Sequence, residues 1–199
     1  MVFFLLLADL VRKTLADDAR ILFQKHGKII PVQGDVTSKA DLARIVSTIA
    51  AHPLSGGLVN LVVANAGAMG PEPPASLDPG QAASPRPSLR EAYELLWAPE
   101  VAEFDAVFTT NVSGTYFTAV AFLPLLEAGN TAGNVTQASQ IIITGSAAAY
   151  SRAASAKFAY GASKAGTNDL VRRLSTTLAP YRIRVNSIVP GSKYFAFSP

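Results

Sequence analysis

The sequence predicts an α/β fold in which a parallel sheet is flanked by helices. Three observations carry that prediction. Short apolar runs alternate with amphipathic stretches along the chain, the order that strand–helix–strand units produce. Several runs are apolar at consecutive positions, as in strands covered on both faces. Small, glycine-containing turns follow three of the runs, at Gly34-Asp35, Asn65-Ala66-Gly67 and Gly145-Ser146. Turns of that kind at the carboxyl ends of parallel strands are where such sheets receive ligands.

The elements follow in order. Val2–Leu7 reads as a buried strand: no basic stretch precedes it, and it is too short to span a bilayer. A helix is expected over Thr14–Lys25 and a strand over Lys28–Val32. Ser38 and Asp41 mark the start of a helix over Lys39–Ala51. Leu58–Ala64 is the next strand. Residues 71–99 hold seven of the chain's 13 prolines. Proline lacks the ladder N–H and breaks helix interiors, so this stretch is expected to be a surface loop. Strand-like runs continue on both sides, which makes it an insertion within a single domain, 1–199. Val101–Leu126 reads as two helical segments or one bent helix. Gln140–Thr144 is a strand, Tyr160–Leu178 a helix and Ile183–Val189 the last strand. No internal repeat interrupts this order.

Composition narrows the function. A chain of 199 residues with 49% hydrophobic and 16% charged residues buries a substantial core. The net charge is +3, but its basic residues are scattered; no basic stripe points to nucleic acid. Without cysteine there are no disulfides and no thiolate metal sites, which fits a reducing, cytoplasmic setting. His26 and His52 are the only histidines, so neither a histidine metal site nor a Ser-His triad is expected. No apolar stretch approaches ~20 residues, so no transmembrane helix is expected.

The chemistry centres on Tyr160 and Lys164. Their i, i+4 spacing puts both side chains on one helix face. A phenol ordinarily titrates near 10, and a neighbouring ammonium favours its phenolate. The pair can therefore exchange a proton with a substrate oxygen near neutrality. Ser146, 14 positions upstream, offers a hydroxyl that either steadies a carbonyl oxygen or caps a helix. Asn111, inside an apolar helix-like stretch, either bends that helix around a water or is a satisfied core amide. Asp35 either accepts from an adenine amino group or caps the helix beginning near Ser38. The turn Asn65-Ala66-Gly67 lets a ligand approach the backbone.

Taken together these residues resemble the short-chain dehydrogenases/reductases. Asn65, Ala66 and Gly67 match the family's Asn-Ala-Gly. Asn111, Ser146, Tyr160 and Lys164 match its catalytic set in order. Asn186, Pro190 and Gly191 match its Asn-x-x-x-Pro-Gly, and Asp35 with Val36 matches its Asp-Val. The match runs from about Val2 to Gly191. The resemblance implies a doubly wound, Rossmann-like sheet in three α/β/α layers. It implies an NAD(P)-dependent oxidoreductase that reduces a ketone or oxidises a secondary alcohol. Tyr160 would be the acid/base, Lys164 would assist it and bind the nicotinamide ribose, Ser146 would orient the substrate oxygen, and Asn111 would hold a relay water. Asp35, Val36, Asn65, Ala66, Gly67, Tyr160, Lys164, Pro190 and Gly191 would contact the cofactor. Residues 141–145 and 158–164 and the tail beyond Gly191 are similar to the 3-oxoacyl-carrier-protein reductase-like branch named for rhamnolipid biosynthesis. That branch implies the ketone-reducing direction. The partner expected is a small carbonyl or alcohol, with no nucleic acid and no membrane, and a homo-oligomer if full length.

Two features depart from the family pattern. The Gly-x-x-x-Gly-x-Gly turn that cradles pyrophosphate is not found, and Val2–Leu7 aligns with the family's second strand. The reading is therefore of a chain truncated at both ends, without the first strand and without the substrate segment that follows Pro190-Gly191. The alternative it raises is an inactive fragment unable to hold the cofactor. Asp9 favours NAD through a ribose 2′-hydroxyl, while Arg12 and Lys13 favour NADP through a 2′-phosphate; the balance leans to NADP(H).

Overall fold

The computed structural model describes residues 30–72, 74–77, 86–152 and 157–191. The expected strand Val2–Leu7, the helix Thr14–Lys25, and Asp9, Arg12, Lys13 and His26 lie outside them.

Among the described residues the sheet has three parallel strands: β1 (Leu61–Ala64), β2 (Gln140–Thr144) and β3 (Arg184–Ile188), in that spatial order. Leu61 pairs with Gln140, and Gln140 with Arg184; at the other end Thr144 pairs with Ile188. The carboxyl ends of all three strands thus lie side by side, each followed by one of the expected ligand turns. The runs Leu-Val-Val-Ala and Ile-Ile-Ile-Thr, with Val, Ile and Thr at most positions, suit a pleated, packed surface.

Burial alternates along the strands. Val62, Ala64, Ile141, Ile143 and Val185 point into the core, against Ala119, Phe122, Leu126, Leu174 and Leu178 from the helices. The described helices cover this face. The alternate positions Val63 and Ile188 stay 37% and 57% exposed.

Helix α1 (Lys39–Ala51) starts as expected: Ser38 Oγ accepts from the Asp41 N–H at 3.2 Å, one of the donors that a helix start leaves unpaired. Residues 30–32, expected to be strand, are irregular. They are the described part of the strand expected over Lys28–Val32, whose expected neighbour Val2–Leu7 lies outside the described residues. The expected loop over 71–99 contains a helix, α2 (Leu89–Trp97). It lies between Pro87 and Pro99, a stretch free of proline. A full capping box starts it: Ser88 Oγ accepts from Glu91 N–H, and the Glu91 carboxylate accepts from Ser88 N–H at 2.7 Å. None of its residues is buried, and Leu89 and Trp97 are largely exposed.

The long stretch from Val101 runs on to Ala132 as α3 (Val101–Phe108), one π-type turn (Thr109–Gly114), α4 (Thr115–Ala121) and α5 (Leu123–Ala132). The stretch expected as two helical segments or one bent helix is thus interrupted at the π turn, which holds Asn111, and again at Phe122. Helix α6 (Phe158–Leu178) packs on β3 and on the π turn.

Where α5 passes the approach to β1 the backbones nearly touch. A Cβ on Gly129 would lie 2.4 Å from the Val59 carbonyl oxygen. Alanine gains up to about 1 kcal/mol of helix propensity over glycine. A backbone oxygen cannot step aside as a side chain can, and overpacking costs about 1–3 kcal/mol. Gly129→Ala is therefore expected to lower the midpoint in a urea melt. A midpoint at or above wild type would show that the contact relaxes freely.

Candidate functional site

The site is built where the strands end. Lys164 on α6 is 4% exposed. Its Nζ donates to the Thr144 carbonyl at 2.6 Å and lies 5.7 Å from the centre of the Tyr160 ring. The helical spacing thus brings the Lys164 ammonium over the Tyr160 ring. Burial holds the Lys164 ammonium below the usual lysine range, because a low-dielectric surrounding disfavours the charge.

Asn111 is fully buried, and its amide bonds through both of its ends. Oδ1 accepts from the Ala68 N–H at 2.7 Å. Nδ2 donates to the Ala68 carbonyl and to Ser163 Oγ, each at 2.9 Å. Ser163 Oγ in turn donates to the Tyr160 carbonyl at 2.8 Å. Thr167 Oγ1 reaches the Asn111 carbonyl at 3.1 Å. The π turn is therefore fastened at once to the loop after β1 and to the helix that carries Tyr160 and Lys164.

The Asn65-Ala66-Gly67 turn passes over the lysine. A Cβ on Gly67 would lie 3.2 Å from Asn111 Oδ1 and 3.8 Å from Lys164 Nζ, so a larger residue would crowd the two groups. Asn65 Oδ1 accepts from Thr144 Oγ1 at 2.8 Å. Ser146 lies at the end of β2, where its Oγ accepts from Ala148 N–H at 3.1 Å and starts the short 3₁₀ turn Ala147–Tyr150. Pro190 reaches the same corner: its carbonyl accepts from Ala147 N–H at 2.8 Å, and Gly191 packs against Ala147. Asn186 is exposed on β3.

Asp35 is exposed. Its Oδ1 accepts from both the N–H and the hydroxyl of Thr37, at 2.8 and 2.7 Å, so it closes the turn ahead of α1, while the cap itself is Ser38. Val36 is buried against Gly114 of the π turn. Between them and β1 opens a hollow lined by Val36, Ala64, Asn65, Ala66, Gly114 and Thr118.

Ala68, Thr144, Ser163 and Thr167 belong to this network and were not expected from the sequence. The two α6 residues had a signal: with Tyr160 they recur at i, i+3 and i+7, the spacing of one helix face. Among the described residues no group of histidine, aspartate or glutamate is arranged to hold a metal, and no helix is long and apolar enough to cross a membrane.

The family model described as short chain dehydrogenase matches residues 94–194. The short-chain dehydrogenase/reductase PhomF of Diaporthe leptostromiformis is 43% identical over 180 residues, which cover 90% of this chain and 58% of that protein. The chain thus spans under two thirds of that relative's length. Two solved structures share the fold. The Pseudomonas aeruginosa RhlG/NADP active-site complex matches with a TM-score of 0.63 at 24% identity, over 86% of this chain and 59% of that one. The NADH-dependent reductase A1-R′ complexed with NAD matches with a TM-score of 0.63 at 23% identity, over 83% and 58%.

Proposed function

The chain belongs to the short-chain dehydrogenase/reductase family, and from that premise we propose that it is an NAD(P)-dependent oxidoreductase acting on a ketone or secondary alcohol through Asn111, Ser146, Tyr160 and Lys164. The observation that carries this reading is the position of Lys164. One buried ammonium adjoins the Tyr160 ring, the end of β2 and Gly67 of the turn after β1.

Several of the residues present would hold parts of a nicotinamide dinucleotide. The hollow beside Val36 and Ala64 would receive the edge of the nucleotide against Asn65 and Ala66, and Asp35, which precedes Val36, would be the acceptor for an adenine amino group. Asn65, Ala66 and Gly67 expose backbone to a ligand, and Lys164 offers donors to ribose hydroxyls. Tyr160, Pro190 and Gly191 complete the set. The cofactor, when bound, supplies hydride chemistry. Tyr160 gives a proton to the substrate oxygen, or takes one from it. The Lys164 ammonium stabilises negative charge that develops on the phenol oxygen. The Ser146 hydroxyl orients the substrate oxygen beside it. A relay water on Asn111 would donate to one of its oxygens, because Nδ2 spends both protons on Ala68 and Ser163. The resemblance to the 3-oxoacyl reductase-like branch favours the ketone-reducing direction, and Arg12 with Lys13 favours NADP(H).

The test is a fluorescence titration of the purified chain with NADPH and NADH, followed by nucleotide consumption with a panel of small ketones. Saturable binding, tighter for NADPH, and turnover of at least one ketone are expected. Binding of neither nucleotide would overturn the reading in favour of an inactive relative.

Lys164→Met supplies a second check. A lysine whose folded pKa is depressed binds fewer protons in the native than in the unfolded state, over the window between that pKa and the ordinary value of about 10.4. Stability therefore rises with pH through that window, and the buried charge is a constant cost below it. The variant is expected to lose the alkaline rise in melting temperature and to bind nucleotide more weakly. Thermal melts across neutral to alkaline pH, with and without NADPH, measure both. Unchanged slope and affinity together would reduce Lys164 to a structural lysine.

A further inference from the structure

Thr144 ends β2, and groups from three parts of the chain meet at it. Its carbonyl accepts from Lys164 Nζ at 2.6 Å. Its hydroxyl donates to Asn65 Oδ1 at 2.8 Å. Its backbone is in register with Ile188 of β3, and it directly precedes Gly145-Ser146. The proposed catalytic lysine and the proposed cofactor turn thus hang on one residue, one from its main chain and the other from its side chain.

We propose that Thr144 is a positioning residue for the cofactor site, acting through Asn65; this rests on the functional reading above. Asn65 is exposed at the end of β1, where the turn continues over Lys164. With Oδ1 held by the Thr144 hydroxyl, the amide plane is fixed and its NH₂ group is left to donate to an acceptor oxygen of the nucleotide. Without that bond the amide rotates freely, and the turn must order as nucleotide binds, which weakens affinity. Valine would serve β2 equally well, being β-branched and of the same shape. It lacks only the hydroxyl. The bond from Lys164 goes to the carbonyl, so a side-chain change leaves the lysine anchored. The two functions of Thr144 are therefore separable by substitution.

The experiment measures NADPH affinity by fluorescence titration, and thermal stability without ligand, for wild type, Thr144→Val, Thr144→Ala, Thr144→Ser, Asn65→Ala and the Thr144→Val/Asn65→Ala double variant. Thr144→Val is expected to raise the NADPH dissociation constant about fivefold to tenfold, the value of one hydrogen bond. Its ligand-free melting temperature should stay near wild type. Thr144→Ala, which cannot crowd the strand end, reports the same loss if the valine disturbs packing. Thr144→Ser should restore affinity. The double variant should be no weaker than Asn65→Ala alone, because one interaction is removed by either change. Hydroxyl-free variants that bind NADPH like wild type would overturn the proposal alone, as would additive losses in the double variant. A wild type that binds neither NADPH nor NADH would overturn the functional reading, and the proposal with it.

Discussion

Tyr160→Phe is expected to lower the rate of NADPH-dependent ketone reduction by about 10²–10⁴-fold, the usual contribution of a positioned general acid. The substitution removes one oxygen and keeps the ring. What holds this turn of α6 does not involve the phenol: Ser163 Oγ donates to the Tyr160 carbonyl, and Lys164 Nζ is fixed on Thr144. Nucleotide affinity and melting temperature should therefore stay close to wild type while turnover falls. Steady-state kinetics beside a binding titration separate these quantities. A variant retaining half or more of the wild-type rate would remove Tyr160 from the chemistry. A parallel loss of nucleotide affinity would instead give the hydroxyl a binding role.

The largest effect on stability is expected from Asn111→Asp. The side chain keeps its shape but exchanges two donors for an acceptor. Oδ1 can still accept from Ala68 N–H, while the other oxygen would face the Ala68 carbonyl and keep Ser163 only if that hydroxyl turned away from the Tyr160 carbonyl to donate to it. The position is fully buried. With the Lys164 ammonium near it, a buried group left facing a carbonyl costs about 1–3 kcal/mol, and more when charged, a large part of the ~5–15 kcal/mol by which domains are stable. The cost is pH-dependent. Burial disfavours the anion there and the Lys164 ammonium across the Gly67 turn favours it; with the second oxygen facing a carbonyl, the folded pKa of the carboxyl is expected to be raised. Its protonated form can donate to the Ala68 carbonyl, so the deficit is smallest in acid and grows as pH rises through that folded pKa. Urea melts of wild type and variant from acid to neutral pH test this. A deficit independent of pH, or one below about 1 kcal/mol at neutrality, would show that the amide is not the clamp it resembles.

How much was legible beforehand varies by element. β2 and the helix over Lys39–Ala51 have the expected bounds, and α6 begins two residues before the expected Tyr160. Their patterns are local: an apolar run closed by Gly145, a Ser-x-x-Asp start, and a long amphipathic stretch. The loop expected over 71–99 gave too much weight to the prolines and too little to Ser88 and Glu91, whose spacing marks a capping box. Tyr160 with Lys164 was readable because both lie on one helix face, four residues apart.

The sequence by itself determined the strand–helix alternation, the turns at the strand ends and the residues able to do chemistry, because periodicity, caps and glycine turns act within a few residues of chain. The tertiary structure alone decided what those residues touch. Asn111 finds its partners in Ala68 and Ser163, at separations of 43 and 52 residues, and Thr144 finds Asn65 at 79. A buried amide must be satisfied, but any donor or acceptor of suitable geometry will do. Which one meets it depends on how the π turn, α6 and the loop after β1 pack together, and no local pattern encodes that.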